Sequence, residues 1–169
     1  LFLIHWPNKS VPVKKTLKSM ARLKKKGLVK SIGVSNFTIN YLKKALKSGV
    51  KVDVNQVEFH PSFNQQELKE FCDEKGIVLT AYSPLGQSRD LELEVIKDLA
   101  AKYDKTEAQI ILKWLVSKQI VAIPRTADFD HLRENFHIWD WELENQDIVK
   151  INNIKQQNRI LNPPFAEFN

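Results

Sequence analysis

The stretch LFLIHWP (residues 1–7) sets four apolar residues in unbroken succession ahead of His5 and Trp6. A continuous run of that kind is the pattern of a parallel strand buried on both faces. Such strands seldom form the first residues of a chain. No initiator Met, polar lead-in or basic segment precedes it, so no signal peptide is expected. The reading is that the chain was processed here or that an upstream segment is missing.

Similar runs recur as SIGV (31–34), VDVNQVEF (52–59), IVLTAY (77–82) and IVAI (120–123), and helical sequence follows each. A helix is predicted over 12–27. Thr38 is placed to cap the next, which carries Ile39, Leu42, Ala45 and Leu46. Asn64, with Glu67 three residues on, resembles a capping box ahead of Leu68, Phe71 and Cys72. Two helices are predicted in the longer fourth interval, one near 91–103 and one entered through a Thr106/Gln109 capping box. Asp128 is a plausible N-cap for 129–137, a last amphipathic helix is expected over 143–155, and the tail from Gln156 to Asn169 reads as extended.

Strands this apolar, alternating with helices, mean a parallel sheet covered by helices. A doubly wound sheet and a (β/α)8 barrel compete. No G-x-G-x-x-G follows any strand, so the Rossmann fingerprint is absent. A barrel has eight units in about 250 residues. Five units in 169 residues suit an α/β (β/α)8 TIM barrel truncated to its last five βα units. Residues 1–169 would then be one partial barrel, comprising strands 4–8, the C-terminal helix and the tail, with Leu1 opening the fourth strand.

The chain is 43% hydrophobic, enough for a sizeable core. Its apolar runs fall well short of the roughly 20 residues of a membrane span. Cys72 is the only cysteine, which excludes an internal disulfide and points to a reducing compartment, the cytoplasm. Cys72 itself reads as a small buried hydrophobe. The net charge of +6 gathers on one predicted helix at Lys14, Lys15, Lys18, Arg22, Lys24, Lys25, Lys26 and Lys30. Nucleic-acid binding is one reading of that cluster. A solvated face is the other, because Val13, Leu17, Met20, Ala21 and Leu28 supply an apolar stripe at helical spacing. With no aromatic interleaving and no nucleic-acid motif, the solvated face is preferred, and neither a nucleic-acid nor a membrane partner is expected.

The strands end in polar residues: His5, Ser35-Asn36, Gln56 and Glu58, Tyr82-Ser83, Arg125-Thr126. In a barrel these would converge on the mouth where such enzymes work. Each has a bland alternative. His5 could be a satisfied loop histidine, Ser35 and Asn36 could begin a helix, Gln56 could satisfy buried backbone, Tyr82 could be core, and Arg125-Thr126 an ordinary strand exit. Trp6 is either a pocket wall or packing. His60, His131 and His137 lack metal-ligand spacing, so no metal site is read.

The segments LFLIHWP, KSIGVSNF, VNQVEFHP, AYSPLGQ, IPRT and LREN resemble, in order and spacing, the aldo-keto reductase superfamily, in particular its diketogulonate-reductase-like enzymes. The resemblance implies an oxidoreductase barrel that binds NADPH, with NADH as a second cofactor, and reduces aldehydes and ketones to alcohols, acting on small carbonyl substrates. It implies that His5 is the catalytic histidine that orients the substrate carbonyl, with Trp6 beside the substrate. Ser35, Asn36 and Gln56 would hold the nicotinamide carboxamide and Tyr82 would stack on its ring. Ser83, Leu85 and Gln87 would line the pyrophosphate path, and Arg125 and Thr126 the adenosine phosphate. Glu134 and Asn135, near the start of the last barrel helix, would meet the adenine. NADPH-preferring relatives use a Lys in an I-P-K-S stretch and an Arg five residues beyond its Ser; here these places hold Arg125 and His131.

The family's general-acid Tyr, with its Lys and Asp, belongs to the segment before the fourth strand and has no counterpart here. Tyr41, Tyr82 and Tyr103 lie elsewhere. The chain alone is therefore expected to be inactive and, through its open strand edges, to self-associate, whereas the full-length enzyme is expected to be a monomer. Two classes stay open: the C-terminal part of a reductase, and a non-catalytic dinucleotide-binding or assembly module.

Overall fold

A computed structural model describes every residue except 156, 167 and 169. The order is β1 (Phe2–Ile4), α1 (Val13–Lys25), β2 (Ile32–Ser35), α2 (Ile39–Leu46), β3 (Val54–Glu58), α3 (Gln66–Glu74), β4 (Val78–Tyr82), a 3-10 stretch (Gly86–Glu92), α4 (Glu94–Tyr103), α5 (Glu107–Ser117), β5 (Val121–Ala122), α6 (Phe129–Phe136) and α7 (Asn145–Asn152). The strands form a single sheet in the order β1-β2-β3-β4-β5. Parallel pairing sets Leu3 opposite Gly33 and Gly33 opposite Val54. A doubly wound sheet reverses its strand order at a switch point. This strictly sequential order has no reversal, so of the two competing architectures the sheet is wound as a barrel is.

The chain divides into two compact units, residues 1–57, 65–80 and 161–169 in the first and 58–64 and 81–160 in the second. In the first unit, α1 buries Leu17 and Met20 while Lys14, Lys15, Lys18, Lys25 and Lys26 face solvent, which is the solvated-face arrangement. Lys24 turns back instead and pairs with Asp53 at 2.5 Å, and the Ile32 N–H donates to the same carboxylate. Burial works against that charge, but these bonds outweigh it and hold Asp53 below its ordinary pKa. Thr38 caps α2 by accepting from the Tyr41 N–H, as expected. Cys72 is fully buried, and burial pushes its thiol up to about 11, so it is inert at neutral pH.

Three expectations are corrected here. Residues 1–4 are not buried on both faces: Leu1 is 63% and Phe2 46% exposed, because β1 lies at the edge of the sheet, beside β2. Leu28 does not extend the apolar stripe. The backbone closes over the end of α1, the Leu28 N–H donating to the Leu23 carbonyl, and the side chain is left exposed. Asn64 does not cap α3, whose N-cap is Gln65 with no side-chain bond. Standing one residue too early, Asn64 donates to the Asn152 carbonyl instead.

The second unit is built on α5, whose Ile110, Ile111, Leu112, Trp114 and Leu115 are all buried. Trp114 packs on Phe59 and donates its indole N–H to Asn152. Asp147 of α7 is buried and held by Lys102, Tyr103 and Lys150. Burial opposes its charge, but these partners drive its pKa far below the usual carboxylate range. The helix expected near 91–103 begins only at Glu94, because the residues up to Glu92 form the 3-10 stretch and Leu93 between the two is extended (φ −67°, ψ 126°). The capping box at Thr106 and Gln109 is present, and the Gln109 side-chain amide also donates to the Glu134 and His137 carbonyls. Thr106→Ala is therefore expected to cost about 1 kcal/mol, read as a lower urea midpoint with an unchanged slope. An unchanged midpoint would show that Gln109 alone fixes the start of the helix.

Candidate active site

In the first unit the C-terminal ends of β1, β2 and β3 bring together the residues singled out there. The Ser35 hydroxyl donates to the Gln56 carbonyl at 2.8 Å, and the Asn36 N–H donates to the same oxygen at 2.9 Å. The Asn36 side-chain amide donates to the His5 carbonyl and to Ser35 Oγ, both at 3.1 Å. Asn36 adopts a left-handed φ of 62°, which asparagine tolerates, and so turns the chain from β2 towards α2. Ser35 and Asn36 are buried, Gln56 is half-buried and the His5 ring is exposed. The pair thus turns the corner and ties three strand ends together. Trp6 packs edge-on against Phe165 and Phe168.

In the second unit the loop after β4 takes left-handed backbone at Ser83, Gly86, Gln87 and Ser88. Ser83, Leu85, Gln87 and Arg125 line one cavity of about 590 Å³, with Ile123 and Pro124. Tyr82, at the end of β4, is half-buried. Burial, and next the charge of Glu58, push its phenol up to about 12, so it stays protonated. The Thr126 hydroxyl accepts from the Asp128 N–H, and the Asp128 carboxylate accepts from the Asp130 and His131 N–H groups. The His131 side chain is exposed.

The placement of Glu134 and Asn135 is corrected: they lie in the last turn of α6, not near its start. Glu134 offers its carbonyl to Gln109. Asn135 lines a different, mainly apolar cavity of about 520 Å³ beside Leu132, Phe136 and Trp139. The cavity after β4 does not gather either residue.

Sequence reasoning missed a buried polar cluster. His60 Nδ1 lies 2.9 Å from Asp90 Oδ2 and Nε2 lies 3.2 Å from Glu58 Oε1. Ser62 donates to Asp90 from both its N–H and its hydroxyl. The Glu58-x-His60 spacing was a partial signal, since alternate residues share a strand face. Asp90, thirty positions on, gave none. Among the described residues no three His, Cys, Asp or Glu side chains are grouped to hold a metal, and no helix is long and apolar enough to cross a membrane.

A sheet wound in one direction, with polar groups at its strand ends, defines the class of α/β proteins that work at strand C-termini. The particular family follows from comparison. The profile of the Aldo/keto reductase family matches residues 1–156, and the chain belongs to that family. It is 40% identical to aldose reductase B of Dictyostelium discoideum, covering 96% of this chain and 61% of that protein. It is 41% identical to glyoxal reductase of Bacillus subtilis, covering 95% and 58%. The chain thus spans about three-fifths of the length of these relatives. Among solved structures, a putative 2,5-diketo-D-gluconic acid reductase B superposes with a TM-score of 0.92 at 28% identity, covering 98% of this chain and 60% of that one. An aldo-keto reductase complexed with NADPH superposes with a TM-score of 0.89 at 31% identity, covering 96% and 56%.

Proposed function

We propose that the chain is the cofactor-holding part of an NAD(P)H-dependent aldo-keto reductase barrel, corresponding to its last five βα units, that reduces aldehydes and ketones to alcohols. The observation that carries this reading is the cavity after β4. Its lining includes Ser83, Leu85, Gln87 and Arg125, and of these a serine hydroxyl, a glutamine amide and a guanidinium are donors of the kind that the phosphates of a dinucleotide accept. In the first unit Ser35, Asn36 and Gln56 hold the carboxamide. Tyr82 stacks on the ring, Thr126 and His131 attend the adenosine phosphate, and Glu134 and Asn135 are assigned to the adenine. The bound dinucleotide supplies the hydride. His5 donates a hydrogen bond to the substrate carbonyl, with Trp6 beside it.

The alkoxide formed by hydride transfer needs a proton, and the family's Tyr, Lys and Asp have no counterpart among residues 1–169. The chain therefore binds dinucleotide without turning over carbonyl compounds alone. It self-associates through the exposed edges at Leu1, Phe2 and Val121, and it works in the cytoplasm, where its one thiol stays reduced.

Fluorescence titration of the purified protein with NADPH tests the reading. Saturable binding is expected, weakened about fivefold by Gln56→Ala, as loss of one hydrogen bond of roughly 1 kcal/mol implies. No NADPH consumption is expected with a small aldehyde. Absence of binding would overturn the cofactor assignment, and turnover would overturn the assignment of the proton donor.

A further inference from the structure

The buried cluster of Glu58, His60, Ser62 and Asp90 is a larger structure than a pair of ion contacts. It joins the segment after β3 to the loop after β4 and to the tail. The Ile160 N–H donates to Glu58 Oε1 at 2.6 Å, and the Asn158 N–H donates to the Ser62 carbonyl. Arg159 lays its guanidinium 4.4 Å over the Phe63 ring. His60 and Glu58 are fully buried and Asp90 is 1% exposed, so these bonds form away from water, where an unmade bond is costly.

Asp90 is also the inner support of the 83–90 loop. Gly86 sits against it at φ +59°, and a Cβ there would lie 2.6 Å from Asp90 Oδ1. The loop folds onto a carboxylate held from its other side by His60 and Ser62. Nothing in hydride transfer requires a buried imidazole between two carboxylates at this place.

We propose that His60 and Asp90 act as a latch, positioning residues that fix the Ser83–Asp90 loop in the shape that receives the dinucleotide pyrophosphate, and that the latch releases when His60 loses its proton. This rests on the dinucleotide-binding reading given above.

The geometry favours a cation. With both ring nitrogens facing carboxylate oxygens, a neutral imidazole could donate to only one and would turn a lone pair on the other. Burial disfavours the charge and is the largest single influence, yet the bonds to Asp90 and Glu58 together outweigh it and raise the pKa of His60 above its ordinary value. A group raised on folding stabilises the folded arrangement below its unfolded pKa, and that contribution is lost as pH rises through the folded value. The loop is therefore held at acid pH and loosens as pH rises through the raised pKa of His60. Four other charged or titratable groups lie near the ring besides Glu58: Asp90, Arg159, Tyr82 and Arg89. Asp90 is held below its ordinary pKa by its bonds to His60 and Ser62, against the opposing effect of burial. The Arg159 guanidinium keeps its charge, burial and the charge of Glu58 push Tyr82 up to about 12, and Arg89 lines a cavity with Ser62 and Asp90.

NADH is the probe, because it lacks the 2′-phosphate assigned to Arg125 and His131. Two readouts are taken between pH 6 and 9: amide hydrogen exchange of residues 83–90 without ligand, corrected for intrinsic exchange, and the Kd for NADH. Wild type is expected to lose loop protection and at least fivefold in NADH affinity as pH rises. Asp90→Asn and His60→Gln should show the loosened loop and weaker binding already at pH 6, and His60→Gln should flatten both profiles. Ser62→Ala, the mildest change, keeps the test open should either variant fold poorly. NADH binding by wild type with the same pH profile in His60→Gln would overturn the latch and leave the dinucleotide reading standing. A loop that loosens with no change in NADH affinity would likewise overturn the positioning role. No NADH binding by wild type at any pH would remove both readings.

Discussion

Gly33→Ala is expected to prevent the first unit from reaching its native packing. Gly33 lies in the middle of β2, opposite Leu3 on one side and Val54 on the other. A Cβ at this position would stand 2.3 Å from the Val54 carbonyl oxygen, and 3.0 Å from both the Val54 nitrogen and Leu3 Cδ2. A side chain could swing away, but the Val54 carbonyl is strand backbone and cannot move without dragging β3. The N–H of neighbouring Asp53 already donates to the Ile32 carbonyl, which fixes β3 against β2. Ordinary overpacking costs about 1–3 kcal/mol, and a clash with backbone in a three-strand ladder belongs above that range. The expected result is loss of cooperative melting by circular dichroism, or a fall in Tm of more than 10 °C, since about 1 kcal/mol shifts a domain of this size by roughly 2–8 °C. The cluster of Ser35, Asn36 and Gln56 would be lost with it, because Ser35 is two residues further along the same strand. A wild-type Tm in the alanine variant would overturn the close approach of β2 to the Val54 carbonyl.

Gly33 also shows how sequence and structure divide the information. The apolar runs, the Thr38 and Asp128 caps and the Thr106 capping box announced most elements, because each rests on residues at most four positions apart. The misreadings share the opposite character. The LFLI run advertises burial on two faces, yet burial depends on neighbours, and β1 lies at the edge of the sheet. Asn64 has the right chemistry for a cap but stands one residue outside α3. At the site, Ser83 and Arg125, selected from strand ends, line one cavity with Leu85 and Gln87, which the resemblance alone assigned. Asn135 was selected by resemblance alone and lines another. His60 was set aside for lacking metal spacing, although its partners are two carboxylates, and the spacing to Asp90 is set only by the path of the folded chain.

The largest functional effect is expected at the adenosine phosphate. Arg125 is exposed and lines the cavity after β4, where it brings a permanent charge and a fork of donors able to bind a phosphate bidentately. The helix that follows offers little help of its own, because the N–H groups of Asp130 and His131 in its first turn are already taken by the Asp128 carboxylate. Recognition of a 2′-phosphate there must come from side chains. His131 is exposed in that first turn. A neutral imidazole offers one N–H where a guanidinium offers five and a fixed charge. The protein is therefore expected to bind NADPH while discriminating weakly against NADH. Restoring a charge-assisted bond of about 1.5–3 kcal/mol through His131→Arg should raise the NADPH/NADH affinity ratio by roughly tenfold to a hundredfold. Arg125→Ala should lower the ratio by a similar factor, with NADH binding reduced far less, since NADH carries no phosphate at that position. Fluorescence titration of both nucleotides on wild type and the two variants reads the ratio directly. A ratio unmoved by His131→Arg would remove that residue from the phosphate site, and one unmoved by Arg125→Ala would move the phosphate away from the cavity after β4.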